Sequence, residues 1–489
     1  SLSDPTAGAA VVGMGSGNSM TRNIGAISSL HYTFMEKYIL SGTYRWEANS
    51  SLSAQHRWKG FPSIGAAWHF GDEKIIKKLG FVDLAKLRFS WGRTGNAPSG
   101  AFTYLGVFQP VTPGYIDMTA IGPVSIQLDN LKWETVEQTD FGVDFSLFKN
   151  RLQITGELYN RVTTDLLQKD IELPSSTGFT KMKFYNSGKL ANKGWELILN
   201  VEAVRDEDLN LSFNFNFSKN RNEVLELPDN LQFERYNFGN GNYAHRIVEG
   251  NPVGSFYGYR YLGVYQNTDE TYARDLNGNV IYDLEGEAVV MNNGNRKVYP
   301  GDAKYQDIDG NGVIDQYDIV YLGNAMPLFT AGGGFNIRYK AFTLNTFLHG
   351  RFGQKVVNRV RISTENMFGT ANQSTAVLGR WRNEGDDTDI PRALYGEGYN
   401  YLGSDRFVED ASFVRLKMIS LKYALPKTFI ERLGITRFDV FATIQDVFTW
   451  TDYSGQDPEV SLGSNIYMLS EDKANTPRPR RYALGITVN

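Results

Sequence analysis

The segment 307–318 carries the most explicit chemistry of the sequence. Oxygen-bearing side chains recur there at alternate positions, and Gly312 stands at the sixth position of the segment. A hard cation such as Ca²⁺ takes about six to eight oxygen ligands, and a tight loop with this spacing can supply most of them. The candidate ligands are Asp307, Asp309, Asn311, Val313 through its carbonyl oxygen, Asp315 and Asp318. The segment therefore predicts a structural calcium site, with magnesium as the alternative ion.

A second interpretation of this segment stays open. Asp318 stands where such calcium loops usually carry a bidentate glutamate, and turns rich in Asp, Asn and Gly also form without binding an ion. The segment 275–279 begins in a similar way, but Val280 occupies the position where the glycine is needed. We interpret 275–279 as a turn.

The sequence contains no recognisable catalytic motif, and its many carboxylates do not single out an acid/base pair. There is no cysteine, which excludes disulfides, thiolate zinc sites and cysteine nucleophiles. The five histidines have neither HExxH nor another paired metal spacing, and no G-x-S-x-G nucleophile elbow occurs. Basic and acidic side chains number 50 and 54, which lacks the positive charge typical of nucleic-acid binding. We predict a protein that is not an enzyme and does not bind nucleic acid.

The elements that position these residues are predicted to be β-strands. Apolar and polar residues alternate in many segments, such as 211–218, and this period places the two sets on opposite faces of a strand. Helical periodicity is limited to short segments at 72–79 and 427–433. We predict about 14 antiparallel strands, which lie near residues 24–34, 37–49, 60–70, 85–96, 133–148, 151–166, 184–202, 208–221, 256–266, 329–339, 342–353, 406–425, 437–452 and 480–489.

Two hairpins show what these strands would present on each face. A turn at Lys340-Ala341 sets Tyr339 against Phe342, and a turn at 149–150 sets Leu147 against Leu152. One face of each hairpin is then apolar, and the other carries amides and charges. We expect the polar faces to line an aqueous lumen. The candidate substrate-contacting residues on them are Asp144, Gln153, Thr155, Glu157, Asn336 and Asn345.

Short turns and long intervals separate the predicted strands. Several strands reach about 10 residues, the length that spans a bilayer, whereas an apolar run long enough for a transmembrane helix does not occur. The intervals 97–132, 222–325 and 354–405 are predicted to be long surface loops. This pattern indicates an antiparallel transmembrane β-barrel. A soluble β-sandwich shows the same alternation and stays open as the alternative.

Several separated segments also make the chain similar to a known family. They are Phe61-Pro62-Ser63, the run LRFSWGRTGN at 87–96, Trp133-Glu134-Thr135, NKGWEL at 192–197, GNPVG at 250–254, Pro300-Gly301-Asp302, DASFVRLK at 410–417 and YSGQDPEV at 453–460. Their residues and order resemble the C-terminal half of a SusC/RagA-type TonB-dependent outer-membrane transporter of the Bacteroidetes.

This resemblance implies that residues 1–489 form the C-terminal portion of a 22-stranded barrel, without the plug domain. It also implies a location in the bacterial outer membrane with extracellular loops, energy coupling through TonB, and a SusD-like surface lipoprotein as a lid. The expected substrates are oligosaccharides or peptides. Another chain or segment is then expected to supply the plug and the remaining strands, as for a fragment, a cleaved piece or half of a split transporter.

Two further functions stay open beside nutrient import. A passive porin or a surface adhesion barrel needs neither a plug nor energy coupling. A soluble, calcium-stabilised, carbohydrate-binding β-sandwich needs no membrane at all.

Overall fold

A computed structural model describes residues 19–111, 120–227, 241–243, 247–430, 434, 436–459 and 471–488. Among these residues the largest sheet, called the main sheet below, contains thirteen strands. They are, in chain order, β1 (Asn23–Phe34), β2 (Tyr38–Asn49), β3 (Trp58–Trp68), β4 (Val82–Asn96), β5 (Glu134–Leu147), β6 (Leu152–Thr164), β7 (Lys189–Arg205), β8 (Leu209–Glu226), β9 (Phe329–Tyr339), β10 (Phe342–Phe352), β11 (Phe413–Ala424), β12 (Phe438–Thr451) and β13 (Arg481–Val488). Each strand neighbours the strands that precede and follow it in this series.

The hairpin of β9 and β10 shows how the sequence sets the register. Lys340 has a φ of 52° in the tight turn, and Tyr339 pairs with Phe342. Asn336 pairs with Asn345 on the opposite face, because side chains alternate along a strand. The register predicted for this hairpin is confirmed. The turn predicted at 149–150 also lies between β5 and β6, where Phe148, Lys149 and Asn150 have positive φ angles.

Smaller sheets occupy the segments between the long strands. They pair Val107–Val111 with Ala120–Ser125, Leu167–Glu172 with Lys181–Asn186, Ser255–Gly258 with Val320–Asn324, Tyr261–Val264 with Ala303–Tyr305, Asn292–Asn293 with Arg296–Lys297 and Val313–Ile314, and Lys355–Asn358 with Val408–Asp410 and Glu471–Asp472. These segments therefore contain regular secondary structure outside the main sheet.

Helices are short. The α-helices are Lys74–Lys77, Arg359–Glu365 and Lys427–Ile430, and the 3-10 helices are Phe70–Asp72, Ser175–Thr177, Asp269–Thr271, Gln316–Asp318, Thr375–Gly379, Tyr399–Tyr401 and Asp405–Phe407. Within the described ranges, none of the helices has the length and apolar character needed to cross a membrane.

Residues 256–266 depart from the sequence prediction. They contribute to two short strands, Ser255–Gly258 and Tyr261–Val264, which belong to small sheets outside the main sheet. The reason is packing: consecutive residues Phe256 and Tyr257 are both buried, so the segment does not present one face to water. The prediction of a long strand here was wrong, whereas the predicted all-β antiparallel class is confirmed. Some residues of the predicted elements and loops lie outside the described residues: 112–119, 228–240, 244–246, 431–433 and Asn489.

The chain divides into two compact units. The first comprises Ser1–Trp68, Arg88–Asp140 and Arg161–Leu190, and the second comprises His69–Leu87, Phe141–Asn160 and Ala191–Asn489. The buried apolar cluster of the first unit consists of Leu52, Phe61, Leu128, Leu131, Trp133 and Phe184. The second unit has two larger clusters, built mainly by the segments between β8 and β11.

Candidate functional site

The segment that contains the predicted cation loop is built around buried tyrosines. Tyr259 and Tyr305 pack with ring centroids 5.7 Å apart, and the Tyr305 hydroxyl accepts a hydrogen bond from the Leu402 backbone N–H at 3.0 Å. Burial raises the pKa of the Tyr305 hydroxyl, so it stays protonated in the folded protein. Ile314, within the loop, belongs to the same cluster. The loop is thus anchored in a packed core.

Within the loop, backbone N–H groups hold two carboxylates in place. Asp307 accepts hydrogen bonds from the N–H groups of Gly310 and Gly312, both at 2.8 Å. The two glycines have φ angles of 71° and 82°, which curl the chain around the Asp307 side chain. Asp318 accepts from the N–H groups of Ile308 at 2.6 Å and Asp315 at 2.8 Å.

The structure brings three of the six predicted ligands together. Carboxylate oxygens of Asp307, Asp309 and Asp318 all lie within 4.8 Å of one another. Burial raises the pKa of Asp307 and of Asp318, and the neighbouring Asp309 carboxylate raises both further. Three oxygen anions at this separation are a donor set that suits a hard divalent cation.

The other three predicted ligands have different local roles. The Asp315 side chain accepts from the Tyr317 N–H at 2.8 Å and caps the short helix Gln316–Asp318. The Asn311 amide donates to Asp309 at 2.9 Å, next to the three carboxylates. Val313 begins the short strand Val313–Ile314, which pairs with Asn292–Asn293.

The predicted substrate-contacting residues all lie on strands of the main sheet. Asp144 is on β5, and Gln153, Thr155 and Glu157 are on β6. Gln153 is exposed, whereas Asp144, Thr155 and Glu157 are half-buried. Asn336 on β9 donates from its amide to the amide oxygen of Asn345 on β10. The structure therefore brings Asn336 and Asn345 into contact, and contact of these residues with a substrate stays a prediction.

Sequence reasoning missed a buried ionic cluster at the start of β11. Arg415 is 3% exposed, and its guanidinium donates to Asp457 and, at 3.1 Å, to Glu459. Burial raises the pKa of Asp457, but the Glu459 N–H and the Arg415 guanidinium outweigh it and hold this pKa below its usual value. Lys417 also contacts Glu459, at 3.1 Å. The Asp-Pro-Glu turn with two carboxylates was the signal that could have revealed the cluster.

Comparison with known proteins places this architecture in a family. A family model described as TonB dependent receptor-like, beta-barrel, matches residues 2–290. TonB-dependent receptor P3 of Formosa agariphila is 31% identical over 479 residues, which cover 96% of this chain and 45% of that protein. TonB-dependent receptor SusC of Bacteroides thetaiotaomicron is 27% identical over 499 residues, which cover 96% and 44%.

The fold has a solved counterpart in the RagAB peptide transporter. The superposition gives a TM-score of 0.76 at 23% sequence identity and covers 96% of this chain and 48% of that chain. The present chain thus spans about half the length of the curated relatives it matches, with coverages of 44% to 46%.

A large antiparallel sheet with exposed apolar side chains and long folded connections defines an outer-membrane β-barrel protein. The chain belongs to the TonB-dependent receptor-like β-barrel family. The predicted family and the predicted outer-membrane location are confirmed, and the soluble sandwich is excluded. The relatives reported above are receptors and a transporter by name, and none is named as an enzyme.

Proposed function

We propose that this chain is the C-terminal barrel portion of an outer-membrane nutrient importer that is energised through TonB and covered by a SusD-like surface lipoprotein. The observation that carries the proposal is the family match together with similarity to SusC along 96% of the chain. RagAB is named as a peptide transporter, which supports peptides as cargo. We therefore propose both oligosaccharides and peptides as substrates. In this function the chain forms wall and loops and performs no covalent chemistry.

The main sheet supports a contribution from further strands. Within the described residues, β1 and β13 each have a single neighbour in the main sheet. An unpaired backbone N–H or C=O group costs several kcal/mol in hydrocarbon. We therefore propose that another segment or chain pairs with these edges and supplies the plug.

The composition of the native particle and its dependence on TonB test this function. The particle is extracted in mild detergent, and every chain is identified by mass. We expect a plug-bearing polypeptide and a surface lipoprotein to accompany this sequence. Depletion of individual oligosaccharides and peptides from the medium is then compared between cells with and without TonB. Uptake that persists without TonB would contradict the proposal and favour a passive porin, and absence of any uptake would favour an adhesion barrel.

The polar face of the main sheet is the proposed substrate path. Asp144, Gln153, Thr155, Glu157, Asn336 and Asn345 are its candidate contacts. Replacing the hydrogen-bonded Asn336 by Ala should reduce the uptake rate, whereas Phe215→Ala on the apolar face is the control. Equal uptake by both variants and the parent protein would remove Asn336 from the path.

We also propose that Asp307, Asp309 and Asp318, joined by Asn311, Asp315 and the Val313 carbonyl, hold a structural calcium ion, with magnesium as the alternative. The convergence of three carboxylates within 4.8 Å supports this, because a cation offsets their mutual repulsion. Such an ion would keep the surrounding loop in one conformation for a lid or a substrate. Asp315 would have to share its carboxylate with the N–H of Tyr317.

Protease resistance with and without a chelator tests the calcium site. Chelation should accelerate cleavage within 300–320 in the parent protein and in the Asp283→Asn control, whose aspartate lies in another exposed turn. Asp309→Asn should be cleaved quickly in both conditions. Equal cleavage of the parent protein with and without chelator would refute the site, and selective protection by added magnesium would identify the alternative ion.

A further inference from the structure

A groove of about 420 Å³ lies on the apolar face of the main sheet, within the second unit. Small residues form its floor, since Ala331 on β9 pairs with Gly350 on β10, and Gly333 follows two positions along β9. Larger apolar side chains surround this floor: Phe213, Phe215, Phe217, Phe335, Leu348 and Phe352. Ligand pockets typically measure about 300–1,000 Å³, so the groove has room for an apolar chain.

Glycine allows two of the surrounding rings to lie close to the sheet. A Cβ at Gly333 would lie 2.8 Å from Phe215 Cδ1, and a Cβ at Gly350 would lie 2.8 Å from Phe352 Cε2. Phe352 also stacks on Phe329, with ring centroids 4.5 Å apart. These rings are therefore supported by protein atoms, and the groove is a recess in a face from which other apolar side chains protrude.

The groove lies near the extracellular ends of its strands. In transmembrane barrels the short turns are periplasmic and the long loops are extracellular. β9 and β10 meet in the short turn at 340–341, so Ala331 and Gly350 lie toward the opposite ends of these strands. At this level the strand pairing continues through Val414 to Trp450, which is 50% exposed. Exposed tryptophan is typical of the membrane interface, so the groove faces the outer leaflet just below that interface.

Two cationic residues of β8 extend the same face toward the extracellular side. Lys219 and Arg221 follow Phe217 by two and four positions, so their side chains point to the face that carries Phe217. At the rise of a β-strand they lie about 7 Å and about 13 Å beyond it. Arg221 is 3.5 Å from Glu223 and its side chain is 70% exposed. Within the described part of the chain, no carboxylate pairs with the Lys219 ammonium.

A third cation comes from the neighbouring strand β7. The Asn222 amide donates to the Asn192 amide oxygen at 3.0 Å, which places these two residues side by side on the polar face. Their chain neighbours Arg221 and Lys193 then lie beside each other on the apolar face, because side chains alternate along a strand. Lys193 is exposed. A cluster of three cations, Lys193, Lys219 and Arg221, thus lies on the extracellular side of the groove.

The groove and the cations together define an amphipathic, anionic ligand. An apolar tail gains little hydrophobic free energy from a protein groove in a membrane, because lipid tails already surround the sheet. Packing in the recess holds a tail in place, and selection of the molecule falls to the cations. Lysine and arginine form charge-assisted hydrogen bonds with phosphate. In the outer leaflet of a bacterial outer membrane, the phosphorylated lipid is lipid A, whereas glycerophospholipids occupy the inner leaflet.

We propose that an acyl chain of lipid A occupies this groove while its phosphate binds Lys219, with Arg221 and Lys193 beside it. The site requires the outer-membrane location of the chain. It is independent of the imported substrate and of energy coupling, so a failure of the proposed import function would leave it standing.

Native mass spectrometry of the full-length transporter tests the proposal. The particle is extracted in mild detergent with its copurifying chains, freed of bound lipid, and titrated with monophosphoryl lipid A or with phosphatidylglycerol. We expect the first lipid A molecule to bind more tightly than phosphatidylglycerol. Lys219→Gln should weaken its binding by about tenfold, as for loss of one charged hydrogen bond. Ala331→Leu should weaken it by a smaller factor, because the new side chain fills the floor of the groove.

Two control variants make the same chemical changes away from the groove. Lys340→Gln removes an exposed lysine at the short turn between β9 and β10. Ala442→Leu enlarges an exposed alanine that pairs with Leu421 on the apolar face of the sheet. Both should bind lipid A as the parent protein does.

Four results would overturn the site. They are absence of lipid A binding to the parent protein, equal binding by the parent protein and Lys219→Gln, unchanged binding by Ala331→Leu, and equal weakening in the control variants. Phosphatidylglycerol that binds as tightly as lipid A, with the same loss in Lys219→Gln, would overturn lipid A as the occupant.

Discussion

Apolar residues are exposed on the main sheet but buried in the two long connecting segments, residues 227–328 between β8 and β9 and residues 353–412 between β10 and β11. On β13, Leu484 is 85% exposed, and on β1, Ile27 is 71% exposed. In the connecting segments, Phe407 and Ala273 are completely buried. The difference indicates that the two regions face different environments: the sheet exposes apolar side chains to hydrocarbon, whereas the loops bury theirs in cores as water-soluble domains do. The two regions are therefore stabilised by different interactions.

The sheet depends mainly on its backbone hydrogen-bond ladder, and the loops depend on close packing. Removing atoms from a packed core leaves a cavity, whereas a side chain in contact with lipid or detergent leaves none. Substitutions of similar size should therefore affect the two regions very differently. Urea-dependent proteolysis of the loops measures one stability, and heat-dependent loss of the folded sheet in detergent measures the other.

The largest effect is expected from Phe407→Ala in the loop core. Phe407 is fully buried in a cluster with Phe256, Val357 and Tyr401. Its truncation should destabilise the loops by about 3–5 kcal/mol, through lost burial and the remaining cavity. The midpoint of urea-dependent proteolysis within 354–405 measures the loss. Phe407→Leu is the matched control and should cost clearly less. A midpoint unchanged in Phe407→Ala would mean that the loops are not held by this core.

An intermediate effect is expected at the ion pair of Arg415 on β11 with Asp457 in the loop segment 453–459. The pKa of Asp457 is lowered in the folded state, so its stabilisation is complete above the unfolded value of about 3.9 and is lost as the pH falls through the lower folded value. Asp457→Asn should cost about 1.5–3 kcal/mol at neutral pH. In the parent protein, we expect segment 453–459 to detach from β11 when acid protonates Asp457. Asp457→Asn should remove this dependence on pH.

Amide hydrogen exchange of 453–459 between pH 7 and 3, corrected for intrinsic rates, measures this release. Asp452→Asn, a carboxylate just outside the cluster, is the control. Acid release that is identical in Asp457→Asn and the parent protein would show that the ionic cluster does not hold the segment.

The smallest effect is expected on the outer face of the main sheet. Leu484→Met and Ile486→Leu replace exposed apolar side chains by others of similar size. Each should change the stability of the folded sheet by less than about 0.5 kcal/mol, because no packed protein neighbour is disturbed. The temperature at which the detergent-solubilised sheet unfolds provides the measurement. If either variant lost as much free energy of unfolding as Phe407→Leu loses in the loops, the distinction between the two regions would be wrong.

Local patterns predicted most of the strands and the grouping of acidic side chains within 307–318, because the relevant distances along the chain are short. The period of two set the pairing of Tyr339 with Phe342, and the spacing of Asp307 and Asp309 brought their carboxylates together. Alternation failed at 256–266, where both faces of the segment are buried by residues distant in sequence. A pattern of residue types reports which face is apolar, but it does not report what covers the other face.

Sites assembled from distant segments were beyond sequence reasoning. Arg415 meets Asp457 across 42 positions, and Arg361 meets Glu409 across 48 positions. None of these residues lies in a motif with its partners, and each type is common on protein surfaces. Their role depends on burial and on the approach of separate loops, which only the folded chain determines.

The strictly sequential order of the main sheet has a consequence for how the protein can be assembled. Each strand can be added to the strand made just before it, so most pairings close only a short length of chain. The longest interval lies between β8 and β9, since residues 227–328 intervene. Closing a long loop costs entropy that rises only slowly with its length, and a segment that first collapses around its own tyrosines lowers that cost further. The rate at which residues 227–328 fold would therefore determine how fast β9 to β13 are added to the main sheet.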